Sequence, residues 1–300
     1  MKTSDSKSLS GGSLPGRVTF LEGRGGLPMM EISTAWSTAE IYLHGAHVSQ
    51  FQKQGEAPML FLSQCSRFEE GKPIRGGVPI IFPWFGAREG LGQHGFVRNR
   101  AWELKEVTTE MDGSVSVRFR FPNVSEAATY PAFIVDFVVT VNEQLTMELV
   151  VTNKAATENF EFENCLHTYF TVEDITAISI HGLKGVTYLD KTDNQARKVE
   201  AEEGIRISSE VDRTYLDTTS TVEIRDARLG RVIRVEKKNS ASTVVWNPWI
   251  AKAQQMTDFG NEEYRNMVCV ESGNVASNKI VLPPGKASSL KVKLSSAALT

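Results

Sequence analysis

The chain has 300 residues, 41% of them hydrophobic, which is enough apolar material for either two ordinary domains or one large β-sandwich or barrel. Charged residues make up 23% and the net charge is −3, so no basic excess exists to grip a nucleic acid. Cys65, Cys165 and Cys269 stand about a hundred residues apart with no CxxC or Cys/His metal spacing, which excludes a disulfide framework and reads as free thiols in a reducing compartment.

Residues 1–16, MKTSDSKSLSGGSLPG, are rich in Ser and Gly and lack the apolar run of a signal peptide, so they read as a disordered tail. From Arg17 onward the dominant period is two. RVTFLEG, MMEIS and AEIYLHG read as strands, and HVSQFQKQGEAPMLFLS as a hairpin punctuated by Gly55 and Pro58. Next comes a long irregular stretch, Lys72 to Trp102, with at most a short strand at VPIIF. It sets Arg75, Gln93, His94 and Arg98 among closely spaced Gly, Pro and aromatic residues, a mixture suited to the wall of a ligand pocket.

Alternation returns at AWELKEV and SVSVRFRF, joined through the Asp112-Gly113 turn, and FIVDFVVTVNEQLTMELVVTN forms a second hairpin turning near Asn142 and Glu143. Its most apolar part is broken by Asp136 and is far shorter than the roughly 20 residues of a membrane helix, which points to a cytoplasmic protein without a membrane partner. In NFEFENCLHTYFTV, Phe160, Phe162, Asn164 and Leu166 fall on one face, and Glu161, Glu163, Cys165, His167 and Tyr169 on the other. The segment 191–204 is the most polar internal stretch and reads as a surface loop. IAKAQQM after Pro248 allows one or two helical turns. Some fifteen or more strands at roughly ten-residue spacing predict an all-β chain, with residues 17–300 folded as a single large antiparallel sandwich.

Several motifs weaken on inspection. GLGQHG, Gly90 to Gly95, matches GxGxxG, but FVRNRAWELKEV after it alternates like a strand, and the dinucleotide fingerprint needs a helix there. His44 and His47 on a strand would point to opposite faces, and no third metal ligand is near. His181 reads as structural or surface. His167 has Asn164, Thr168 and Tyr169 around it to orient an imidazole, and Glu271 closes a very apolar strand; each alone has an ordinary structural reading. Arg75 and Arg98 offer forks for a phosphate or carboxylate, with glycines beside Arg75 to let a ligand approach. Asp212 is either a ligand contact or an ion-pair partner of Arg213.

Taken together, GKPIRGGVPIIFPWFG, LGQHGFVRNRAWEL, NCLHTYF, EVDRTYLD, VVWNPWIAKAQQMTDF and VCVESGNV resemble the glucose-6-phosphate 1-epimerases, or hexose-6-phosphate mutarotases, of the aldose 1-epimerase family. The likeness runs in order from about Arg17 to about Lys293. It implies a galactose-mutarotase-like supersandwich that interconverts hexose 6-phosphate anomers without metal or other cofactor. Apart from the resemblance, a monomer is expected. It implies further that His167 is the general acid and Glu271 the general base. Arg75, Gln93, Arg98 and Asp212 would contact the sugar phosphate, with His94 beside the ring.

Ring opening needs a proton removed from the anomeric hydroxyl and one delivered to the ring oxygen, so an acid and a base flanking one ring fit the reaction. A mutarotase for unphosphorylated hexoses is the nearest alternative, disfavoured by the two arginines. A non-catalytic sugar-phosphate-binding sandwich would not need the acid and base. A glycoside hydrolase would call for two carboxylates.

Overall fold

Alternating sequence becomes strand almost everywhere in the computed structural model, which describes residues 16–299. Of the Ser/Gly-rich tail only Gly16 falls within that range. Among the described residues there are twenty-five strands, most of them short, and one α-helix, Trp249–Ala253. No helix of the described residues is long and apolar enough to cross a membrane.

Two large antiparallel sheets carry the architecture, one of nine strands and one of eight. The nine-stranded sheet is built around Phe133–Val141 and Leu145–Asn153, paired through the expected turn at Asn142 and Glu143. Glu103–Thr109 and Val115–Arg120 form the hairpin signalled by Asp112-Gly113. Period-two alternation turns Val135, Phe137, Val139, Leu145, Met147 and Leu149 inward, where they share one core with Leu166, Val245, Val268 and Val270 of the eight-stranded sheet. Each such side chain contributes roughly 1.5–3 kcal/mol when fully withdrawn from water, so the interior face of both sheets is strongly specified. A four-stranded meander from Arg17 to Lys53 packs onto the same core.

The central strands of the eight-stranded sheet are buried on both faces, which explains why Ser242–Asn247 and Met267–Asn274 are buried at every position. One face meets the nine-stranded sheet; the other is the floor of a cavity. The strand parity in NFEFENCLHTYFTV is as the alternation predicts: Phe160, Phe162 and Leu166 enter the core, while Glu163, His167 and Tyr169 line the cavity.

Three local expectations change. The return of the hairpin after Gly55 makes only isolated bridges at Leu60 and Leu62, because Pro58 and the irregular neighbours deny it a continuous partner. FVRN forms a 3-10 turn, Val97–Asn99, and the strand begins at Glu103. The polar stretch 191–204 is no plain loop: Ala196–Val199 pairs with Thr187–Asp190 at the edge of the eight-stranded sheet. One solvated face with little apolar alternation made that hairpin look unstructured.

Candidate active site

His167 and Glu271 meet because strand register places them opposite each other. Asn164–Leu166 pairs with Met267–Asn274 as Cys165 to Gly273 and Leu166 to Ser272, and Tyr169 pairs with Cys269, so His167 falls level with Glu271. Their side chains stand on the same face, with His167 Nε2 3.2 Å from Glu271 Oε1. The second carboxyl oxygen, Oε2, accepts a hydrogen bond from the Cys165 thiol at 3.5 Å. Tyr169 stacks on the His167 ring at 4.8 Å, nearly parallel, and Trp246 closes its edge.

Both members of this pair are buried. Burial lifts the Glu271 carboxyl to about 8, since a charged carboxylate loses its hydration there. Burial likewise holds the His167 imidazolium well below its ordinary value, helped by His94, Arg98 and Arg75 nearby. The pair therefore shares one proton, resting on Glu271. Sequence reasoning asked for a charged acid and a charged base; the neutral arrangement is favoured because both groups are almost wholly buried on the cavity floor.

A cavity of about 680 Å³ opens above the pair, within the size range of small-ligand sites. Arg75, Gln93, His94 and Asp212 all line it, as does a cation the sequence reading passed over, Lys191. Arg75 is held in place by Asp258, whose Oδ2 accepts from Nε and Nη2 at 3.3 and 3.1 Å, and by the Tyr169 hydroxyl, which accepts from Nη1 at 3.0 Å. With three of its five N–H groups taken, two remain for a ligand. Lys191 lies over the Phe85 ring, 4.7 Å from its centre, and pairs with Asp212 at 3.1 Å. The Arg213 proposed as a partner of Asp212 pairs instead with Glu200. Lys252, from the short helix, reaches the same cavity and pairs with Glu210.

His94 sits at a left-handed backbone position, φ +63, that turns its ring toward His167 at a centroid distance of 5.6 Å. Its Nδ1 accepts from the Gly86 N–H, so the proton of the neutral ring is on Nε2. Burial and the cations Arg98, Lys191 and Arg75 hold its pKa near 3. Glu163 braces the rim by accepting from the Phe85 N–H at 2.8 Å and the Ala276 N–H at 2.7 Å.

Arg98 is near Arg75 but is not among the residues that line the cavity. It is 9% exposed and donates to the Gln93 carbonyl at 3.0 Å, shaping the loop that presents Gln93 and His94. Its Nε has no hydrogen-bond partner among the described residues. Gly76 and Gly77 also serve the protein rather than a ligand: a Cβ on Gly77 would meet the Val48 carbonyl at 2.3 Å, and one on Gly76 the Phe61 carbonyl at 2.4 Å. His44 and His47 are both buried, separated by a tight turn at Gly45 and Ala46, and neither reaches the cavity.

His167, Cys269 and Glu271 offer donor atoms within 4.8 Å of one another. Burial pushes the Cys269 thiol far up and it packs with Tyr169 and Trp246, so it is not poised to ligate a metal.

Residues 28–295 match the model of the aldose 1-epimerase family. The chain belongs to that family. Relatives named "Putative glucose-6-phosphate 1-epimerase" include one from Cenchrus ciliaris, 36% identical over 259 residues that cover 83% of this chain and 78% of the relative. Another, from Escherichia coli K12, is 34% identical over 246 residues, covering 81% and 82%. The crystal structure of a protein titled "putative mutarotase" from Salmonella typhimurium superposes with a TM-score of 0.84 at 30% identity, covering 91% of each chain. A galactose mutarotase related enzyme from Lactobacillus acidophilus shares the fold, with a TM-score of 0.71 at 17% identity over 91% of this chain and 98% of its own. The all-β architecture and the family membership expected from the motifs both hold.

Proposed function

We propose that this protein is a hexose-6-phosphate 1-epimerase that interconverts the α and β anomers of glucose 6-phosphate by opening and reclosing the ring. The reading is carried by one juxtaposition: an imidazole and a carboxyl 3.2 Å apart on the floor of a cavity whose walls bear Arg75, Lys191 and Lys252. The two oxygens that must exchange protons are both attached to C1 of the sugar, so an acid and a base this close together can address both at once.

In the cycle, the shared proton crosses to His167, leaving Glu271 ionised. Glu271 takes the proton of the anomeric hydroxyl, His167 Nε2 protonates the ring oxygen, and the C1–O5 bond breaks to give the aldehyde. The pair is then neutral again, as it was before the ring opened, so burial favours the same resting state on both sides of the step. Rotation about the C1–C2 bond presents the other face of the aldehyde, and the reverse transfers close the ring. Two protons move and one C–O bond breaks and re-forms, so the balance requires no cofactor. Arg75 and Lys191 hold the phosphate end in this reading, and Gln93 with the His94 Nε2–H contacts sugar hydroxyls. Asp212 takes a hydroxyl while tethering Lys191. Arg98 acts through the loop of Gln93, whose carbonyl accepts from it. The protein works in the cytoplasm as a monomer; sedimentation of the purified protein tests the monomer, and fractionation of cells tests the compartment.

Magnetisation exchange between anomers should run much faster for glucose 6-phosphate than for glucose; equal rates would favour the epimerase of unphosphorylated hexoses. The pH profile follows from the pair. Above about pH 8 its last proton is lost, leaving no acid, so kcat/KM should fall toward tenfold per unit. A second proton would silence the base, but His167 accepts it only well below 6.5, so the profile should be flat between pH 6.5 and 8. A maximum below pH 6 would contradict this assignment.

A further inference from the structure

We propose that Cys165 is a positioning residue for the proton-transfer pair, its thiol tethering one oxygen of Glu271 so that the other stays with His167. The inference rests on the function proposed above. Cys165 and His167 point to the same side of one strand, and Gly273 and Glu271 to the same side of the next, with Cys165 opposite Gly273. Diagonal neighbours in such a pair come within side-chain reach, and here the reach depends on glycine. A Cβ on Gly273 would stand 2.8 Å from the Cys165 Cβ and 2.4 Å from the Asn164 carbonyl, in the space Cys165 uses to lean toward Glu271.

The contact joins two groups that have few alternatives. Cys165 is fully buried among Ile81, Val244 and Val275, which offer the thiol no acceptor. Among the described residues its S–H is the one hydrogen-bond donor to Glu271 Oε2, at 3.5 Å. The other titratable and charged groups near Glu271 are His167 and Tyr169 across the strands, Cys269 on its own strand, Lys191 and Asp212 on the cavity wall, and Arg98; Lys237 is near Cys165. A neutral donor on the carboxylate does two things that these groups do not. It fixes the rotation of the carboxyl plane, and it favours the ionised form without adding a cation that would repel His167 in its charged state. A thiol is a weak donor, so the effect is a modest offset to burial.

Cys165→Ala and Cys165→Ser test this, because both shorten the side chain while only serine keeps a donor. Two readouts are needed: the pH profile of kcat/KM in anomer exchange, and infrared titration of the Glu271 carboxyl stretch with Glu271→Gln as the blank. Alanine should lower kcat/KM at pH 7 about three- to tenfold and move the alkaline limb and the carboxyl titration upward by up to about one pH unit. Serine should restore the rate to within about twofold of wild type and move both downward, since O–H donates more strongly. Shifts of the same sign in both variants, or none in either, would overturn the tether and leave Cys165 a packing residue. The infrared arm needs no substrate, so wild-type protein without anomer exchange would sink the proposed function while the titration still decided the tether.

Discussion

Glu271→Gln is expected to slow glucose 6-phosphate anomer exchange about 10³- to 10⁴-fold, and His167→Ala by a similar factor, because each removes one of two proton transfers that occur around the same carbon. Glutamine keeps the shape of the carboxyl and can still hydrogen-bond His167, so the loss isolates proton transfer from geometry. Stability should move the other way. The Glu271 pKa is raised from 4.5 to about 8 on folding, so its contribution is fully present below 4.5 and is lost as pH rises through 8. Glu271→Gln removes that loss and should melt no lower than wild type at pH 8.5. Residual activity above about a tenth of wild type in Glu271→Gln would end its assignment as the base. A lower melting temperature would show that the carboxyl is not strained by burial.

Arg75→Ala is expected to raise KM for glucose 6-phosphate about 10- to 100-fold, the worth of a charged hydrogen-bonded contact to a dianion, and to affect exchange of unphosphorylated glucose far less. The substitution also strands Asp258, whose Oδ2 accepts two N–H groups of Arg75. Arg75→Lys serves as the control, since it keeps a charge for Asp258 but loses the planar fork. Asp258→Asn should loosen the fork and raise KM by a smaller factor. Equal losses on glucose and on its 6-phosphate in Arg75→Ala would remove Arg75 from the phosphate clamp.

The parts of the site that sequence reveals are those fixed by period-two alternation or by local motif. His167 and Tyr169 fall on the cavity side because the run from Phe160 alternates without interruption, and Tyr169, two residues beyond His167, could have been singled out on that ground alone. Glu271 was visible as a carboxylate in an otherwise apolar strand. Asp258 was not, because its partner Arg75 is 183 residues away and only the folded sheet brings them together. Lys191 lay inside a stretch that read as surface loop, with no apolar pattern to reveal its pairing. Arg98 is a different case: the sequence places it near Arg75 but does not tell that it is buried and donates to the Gln93 carbonyl. Protonation was equally hidden, since it depends on how far the fold withdraws His167 and Glu271 from water.

The edge position of the hairpin Thr187–Asp190 with Ala196–Val199 has a further meaning. Glu271 belongs to an interior strand locked on both sides by neighbours, with His167 beside it between two strands, whereas Lys191 and Gln195 hang from the sheet's outermost ribbon, with left-handed residues Asn194 and Gln195 at its tip. Part of the cavity wall is thus carried by a ribbon apart from the strand of Glu271, while Arg75 stays tied to Tyr169 beside His167. A lineage, or an engineer, could rewrite the ribbon to admit a different sugar ester while the interior strands kept their register and the ring-opening step went on unchanged.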